Sequence, residues 1–169
     1  GDISLVAVHT PGHAPDHVCF WHAGTRTMFV GDLAAAGTTV YIPPTIGGDL
    51  SAYLAPLERV RALEPARLLP AHGPPIDNPE RRLSTYVTHR LERERQILDA
   101  LARGVDTLDA IVGSIYKAVD PALLPLAADT VLAHLIKLER EGRARRDGNA
   151  WLINPRRPPR LRPRPAGCP

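Results

Sequence analysis

Three short stretches hold the residues best suited to chemistry: His9-Thr10-Pro11-Gly12-His13-Ala14-Pro15-Asp16-His17, Gly31-Asp32 and Pro70-Ala71-His72-Gly73-Pro74. Each brings a potential metal ligand to the end of a predicted strand. Imidazole and carboxylate are donors that zinc accepts, and loops distant in sequence can meet on one ion when structural layers present them at the same edge. His13, Asp32 and His72 are the candidate donors. No H-x-H-x-D-H run occurs anywhere in the sequence, so the site these residues suggest is half built.

The elements that must position them can be read from periodicity. Residues Ile3 to Val8, Val18 to His22 and Arg26 to Val30 read as strands, the last two joined by a tight Ala23-Gly24-Thr25 connection. Ser51 to Leu63 places Leu54, Leu57, Val60 and Leu63 at spacings of three, which suits a helix covering a sheet. Arg67 to Pro70 is a short strand that leads to His72. This order indicates half of a layered α/β domain. After the Gly73-Pro74-Pro75 break, Leu83 to Ala102 is the best helical pattern in the chain, and Gly104 stops it. Thr107 N-caps a second helix running to Val119, and Pro121 initiates a third segment whose apolar positions run from Ala128 to Arg140. Two short strands flanking Asp147-Gly148-Asn149 complete a winged helix-turn-helix. The expected organisation is a hydrolase-like part over residues 1–83, a winged helix over 84–154 and a disordered Arg/Pro-rich tail over 155–169.

Taken singly, each histidine signal is weak, because histidine often serves as a half-buried hydrogen-bonding group. Asp32 after Gly31 suits a turn cap equally well. The ordered combination says more. Thr10-Pro11-Gly12-His13, Gly31-Asp32 and Ala71-His72-Gly73 resemble the last three metal motifs of the metallo-beta-lactamase superfamily. With the helices after Pro79, the match is nearest the branch typified by β-lactamase-like protein 2, which carries a winged helix behind its hydrolase domain. The resemblance covers roughly residues 1–153. It implies the C-terminal half of an αββα sandwich, with the H-x-H-x-D-H half absent from this sequence. It makes His13 a ligand of one zinc ion, His72 a ligand of a second, and Asp32 the carboxylate that bridges them. Two such cations activate water and neutralise charge on an attacked group. His17 becomes a partner that orients the metal loop, or a hydrogen bond that pins it. His89 and Arg90 could face the cleft at a substrate edge, or lie on a solvated helix face. His9, His22 and His134 show no partner pattern and read as structural or surface residues.

Charge tests the nucleic-acid reading of the winged helix. Five arginines (Arg156, Arg157, Arg160, Arg162 and Arg164) lie in an acid-free tail; without them, 16 basic residues stand against 18 acidic ones, a net of −2. From Ser84 to Asn154 ten basic residues balance ten acidic ones, whereas phosphate binding needs a positive face. The third helix offers only His134 and Lys137 as polar readers, and the wing Arg143-Ala144-Arg145-Arg146 alone is locally basic. Sequence-specific DNA binding is therefore not expected; a docking or substrate-shaping role is, with RNA contact through the wing as the alternative. The tail should attract polyanions without selectivity. No uninterrupted apolar run has the length of a membrane span, so no membrane partner is expected. The two cysteines form no disulfide framework and fit a reducing, cytoplasmic setting.

The expected function is a binuclear zinc hydrolase, with single-stranded RNA cleavage as the leading specific activity and a glyoxalase-II-like thioesterase acting on a small molecule as the alternative. This chain alone should bind zinc weakly and hydrolyse little, because it holds too few ligands per metal. A half-sheet should also expose apolar surface and favour association, including homo-oligomers. The rival from another class is an interaction module in which the winged helix is the working part.

Overall fold

The computed structural model describes residues 2–154; the arginine-rich tail, and with it the expectation about polyanions, lies outside the described residues. Four strands, β1 (Val6–His9), β2 (Val18–His22), β3 (Thr27–Gly31) and β4 (Arg67–Pro70), form one sheet in sequence order. β1 to β2 and β2 to β3 are antiparallel, and β3 to β4 is parallel. The parallel step requires a crossover, and helix α1 (Leu50–Ala62) provides it. Asp49 starts that helix by accepting from the Ser51 and Ala52 N–H groups.

Strand alternation divides the sheet into two unlike faces. Cys19, Met28, Val30 and Leu68 are buried against Tyr53, Leu57 and Val60 of α1. On the opposite face the register lines up Ala7, Phe20, Phe29 and Leu69, and Phe20 and Phe29 remain 44% and 41% exposed. The strand predicted from Ile3 begins only at Val6. Val6 pairs with Trp21, the penultimate residue of β2, so Ile3 and Leu5 have no strand beside them and stand exposed.

Helix α2 (Pro79–Ala102) starts four residues before the expected Leu83, capped by Asn78 with Pro79 at its first position. It serves two cores. Leu83 and Tyr86 pack with the sheet, while Ile97, Ala100 and Leu101 pack with α3 (Leu108–Ile115), α4 (Leu124–Arg140) and the β5–β6 hairpin (Ala144–Asp147, Ala150–Ile153). The boundary drawn between residues 83 and 84 thus falls inside one continuous helix. α3 ends at Ile115, before the expected Val119, and a 3-10 turn over Pro121–Leu123 leads into α4. Residues 121–140 are long and apolar enough on average to pass as a membrane span. The structure buries one face of them, with Val131, His134, Leu135, Lys137 and Leu138 turned into the protein and Leu123, Leu124 and Leu126 exposed. His134 and Lys137, the two polar groups this helix could have offered to a nucleic acid, are buried. Burial, and then the nearby cations of Arg90, Lys137 and Arg93, push the His134 pKa down to about 3, so its ring is neutral.

The strongest polar lock in the second core is Glu94, 5% exposed, which accepts from Lys137 Nζ at 2.6 Å and from the Arg143 guanidinium. Burial pulls the Lys137 pKa down, but hydrogen bonds to Glu141 and Glu94 outweigh it, and the net shift is upward. Removing one partner of a buried pair strands the other's charge, at a cost of about 3 kcal/mol or more. Glu94→Ala is therefore expected to lose about 3 kcal/mol in urea unfolding followed by tryptophan fluorescence. Glu141 also meets Lys137 at 2.6 Å but is more exposed, so Glu141→Ala should lose about 1 kcal/mol or less. Equal losses would show that burial does not set the strength of this lock.

Candidate metal centre

β1, β3 and β4 all run in one direction, because two antiparallel steps separate β1 from β3 and a parallel step joins β3 to β4. Their C-terminal ends therefore lie on one edge of the sheet. His13 follows β1, Asp32 follows β3 and His72 follows β4. The Ala71 N–H donates to the Gly31 carbonyl at 3.0 Å, which binds the second and third of these ends together. Leu33 N–H closes the turn after β3 on the Val30 carbonyl at 2.9 Å, and Gly31 adopts φ +52° there.

The three side chains converge on the carboxylate of Asp32. His13 Nε2 lies 4.0 Å from Asp32 Oδ2, and His72 Nε2 lies 3.7 Å from Oδ1. Each imidazole approaches a different oxygen. His13 Nδ1 is 2.8 Å from the Tyr41 carbonyl; a carbonyl only accepts, so Nδ1 carries the proton and the Nε2 lone pair is free on the Asp32 side. His72 is the most open of the three, with its side chain 82% exposed against 32% for His13 and 38% for Asp32. Among the described residues no three His, Cys, Asp or Glu donors close around one point. Each histidine makes a two-donor corner with one Asp32 oxygen. The donor types suit a pair of divalent cations, and the number falls short of the three protein ligands usual for a catalytic zinc.

His17 sits directly behind this edge. Its Nε2 accepts the Asp32 backbone N–H at 3.0 Å, which leaves Nδ1–H to donate to Thr10, whose Oγ1 is 2.8 Å away and whose carbonyl is 3.2 Å away. Thr10 Oγ1 in turn meets Cys19 Sγ at 3.2 Å. Burial, outweighing the Thr10 hydrogen bond, holds the His17 pKa below the ordinary histidine value and raises the Cys19 thiol to about 11. The ring is thus a neutral strut between the His13 loop and Asp32. His17 also explains Gly31: a Cβ there would stand 2.7 Å from His17 Nε2.

The other histidines are placed elsewhere. His9 Nε2 lies 2.9 Å from the Pro15 carbonyl, closing the loop that carries His13, and His22 Nδ1 lies 2.7 Å from Thr25 Oγ1. His89 lines a shallow groove on α2 with Arg81, Ser84, Thr85, Thr88 and Glu92, none of them a candidate donor. The substrate-edge expectation for Arg90 is corrected. Arg90 is 4% exposed, donates to the Val40 carbonyl and lies 5.7 Å over the Tyr53 ring, so its charge is spent inside the protein. A larger cavity, about 630 Å³, opens between α2 and the wing beside Leu91, Leu98 and Ile153 and touches none of the three donors. Residues that sequence reasoning missed brace the donor loops. Tyr86 accepts from the Ala35 N–H at 3.0 Å and donates to the Thr38 carbonyl at 2.8 Å, while Arg82 Nε donates to the Ala35 carbonyl at 2.8 Å. Their four-residue spacing places them on one face of α2, a signal that could have marked them as partners.

Residues 1–72 match the metallo-beta-lactamase superfamily, and residues 107–151 match the beta-lactamase associated winged helix domain. The chain belongs to the metallo-beta-lactamase superfamily. It is similar to the Beta-lactamase-like protein 2 homolog of Drosophila melanogaster, 39% identical over 142 residues that cover 82% of this chain and 46% of that protein. The Caenorhabditis elegans homolog is 33% identical over 141 residues, with the same shares covered. The chain thus spans about half the length of the curated relatives it matches. In fold it is similar to a beta-lactamase domain protein from Burkholderia ambifaria, with a TM-score of 0.81 at 21% identity over 91% of this chain and 49% of that one. A metallo-beta-lactamase family protein from Thermus thermophilus gives a TM-score of 0.77 at 22% identity over 90% of this chain and 50% of that one. These likenesses confirm the metallo-beta-lactamase fold and the appended winged helix read from the motifs. The superfamily is one of hydrolases.

Proposed function

We propose that this chain supplies one edge of a binuclear zinc centre in a metal-dependent hydrolase. The observation that carries the reading is the approach of two histidine Nε2 atoms to opposite oxygens of one carboxylate. His13 and Asp32 would hold one ion, and His72 and Asp32 the other. When bound, such a pair supplies activated water and neutralises charge developing on the attacked group. The chain's own residues do the positioning: Tyr41 sets the His13 tautomer, and His17 holds the Asp32 backbone.

The preferred substrate is single-stranded RNA. Support comes from the exposed Arg145 and Arg146 of the wing, which offer positive charge to a phosphate backbone. The inward turn of His134 and Lys137 speaks against base readout in duplex DNA. A thioesterase is the other arm of the test. The whole protein containing this segment is expected to retain two zinc ions by elemental analysis and to cut a fluorescent single-stranded RNA, with little action on an S-acyl thiol. Thioester cleavage without RNA cleavage would replace the substrate reading, and absence of metal would remove the hydrolase reading. The 169-residue chain alone is expected to bind zinc weakly, because each corner offers two donors. The exposed row of Phe20 and Phe29 would be covered by the rest of the protein or by a second copy. The buried free thiol of Cys19 suits a reducing, cytoplasmic setting.

A further inference from the structure

Residues 40–49 form a strap between the winged helix and the loop that carries His13. On one side the Tyr41 carbonyl accepts His13 Nδ1–H at 2.8 Å, and the Asp49 N–H donates to the Gly12 carbonyl at 2.8 Å. On the other side the Tyr41 phenol donates to the Asp129 carboxylate of α4, and Arg140 of α4 donates to Asp49 Oδ2 at 2.6 Å. Arg90 of α2 holds the Val40 carbonyl from below. Two residues of the strap, Tyr41 and Asp49, therefore each touch a metal-loop residue and a winged-helix residue at once. The phenol is only part-buried yet its pKa is raised to about 12, with the Asp129 hydrogen bond as the first cause.

We propose that the winged helix is a positioning element for the metal centre, acting through the Asp129–Tyr41–His13 relay. α4 sets the place of the strap, and the strap's carbonyl decides which His13 nitrogen is free and where it aims. Without a fixed acceptor a part-exposed imidazole samples both tautomers and turns about its side-chain bonds, and outer partners of metal-binding histidines weigh heavily in affinity. The inference rests on the reading of His13 as a metal donor. It gives the winged helix a task that needs no nucleic acid.

The test uses the 169-residue chain with cobalt(II) as the probe ion. In the metal-free chain, nitrogen–proton correlation spectra should show His13 as the Nδ1–H tautomer, with His17 as an internal reference. Tyr41→Phe removes the phenol and keeps the carbonyl. It is expected to mix the His13 tautomers, leave His17 unchanged and weaken cobalt binding about tenfold, the low end of the range for outer partners. Asp129→Asn retains an oxygen acceptor and should keep affinity within about twofold of the parent, whereas Asp129→Ala should behave as Tyr41→Phe does. If Tyr41→Phe and Asp129→Ala lower the melting temperature but leave the His13 spectrum and cobalt affinity unchanged, the relay is only domain glue and the proposal is overturned. If the parent chain takes up no cobalt at His13 even in large excess of the ion, where a weak two-donor corner would still fill, the metal reading fails on its own, and the tautomer spectra still decide whether the relay positions His13.

Discussion

Replacing Gly12 by alanine is expected to cost about 2 to 6 kcal/mol of stability. Gly12 adopts φ +137°, and a Cβ there would stand 2.4 Å from Cα and Cβ of Tyr53 and 2.7 Å from its backbone nitrogen. Those atoms belong to α1, which is fixed by the Asp49 cap and by burial of Tyr53, so they cannot step aside cheaply. Overpacking costs about 1–3 kcal/mol and forbidden backbone geometry about 1–3 kcal/mol more. The comparison is Gly73→Ala, where φ is +84° but no atom lies within 4 Å of the new Cβ; only the backbone term remains, about 1–2 kcal/mol. Urea unfolding of both variants measures the difference. A Gly12→Ala loss no larger than that of Gly73→Ala would mean that the close approach of the metal loop to α1 is not part of the fold's strength. The same approach brings the Gly12 carbonyl to the Asp49 N–H at 2.8 Å, so this variant should also loosen His13.

The largest effect on chemistry is expected from Asp32→Asn in the whole protein. An amide has one carbonyl oxygen and no charge, so it cannot bridge two cations, and His13 and His72 approach different oxygens of the native carboxylate. Zinc content should fall from two ions to one or fewer. Loss of the paired-cation contribution, several kcal/mol of transition-state charge stabilisation, corresponds to a rate about a thousandfold lower or more. The Asp32 N–H bond to His17 Nε2 does not involve the side chain, so the fold and the His17 tautomer should be retained. Elemental analysis together with the initial rate decides the matter. An Asp32→Asn variant that kept both ions and more than about a tenth of the parent rate would exclude Asp32 as the bridge.

Much of this protein is legible in one dimension because the signals are local. Short runs rich in apolar strand-forming residues fall in β2 and β3, a three-residue apolar spacing marks α1, and Thr107 and Asp147-Gly148-Asn149 mark a cap and a turn at their own positions. The donor trio is legible for a related reason: His13, Asp32 and His72 each follow a strand within a short motif, and three co-directional strands must end on one edge. The start of α2 at Asn78-Pro79 was also written in the chain, in a cap and a helix-initiating proline that the weight of the Pro-rich break obscured.

What only the tertiary structure decided are the contacts whose chemistry carries no side-chain signature. The acceptor that orients His13 is the carbonyl of Tyr41, 28 residues away, which any residue type could present. Arg90 reads as a surface or cleft residue on a helical wheel, yet its guanidinium is turned beneath the strap to Val40. His134 and Lys137 carry no sequence signal of burial, and the packing of α4 against α2 turns them inward. In each case the pattern of residues named the group, and its neighbours, brought close by loop closure over tens of residues, chose its role. Sequence therefore determined which candidate donors reach the edge, and packing of the winged helix on the 40–49 strap determined how they are held there.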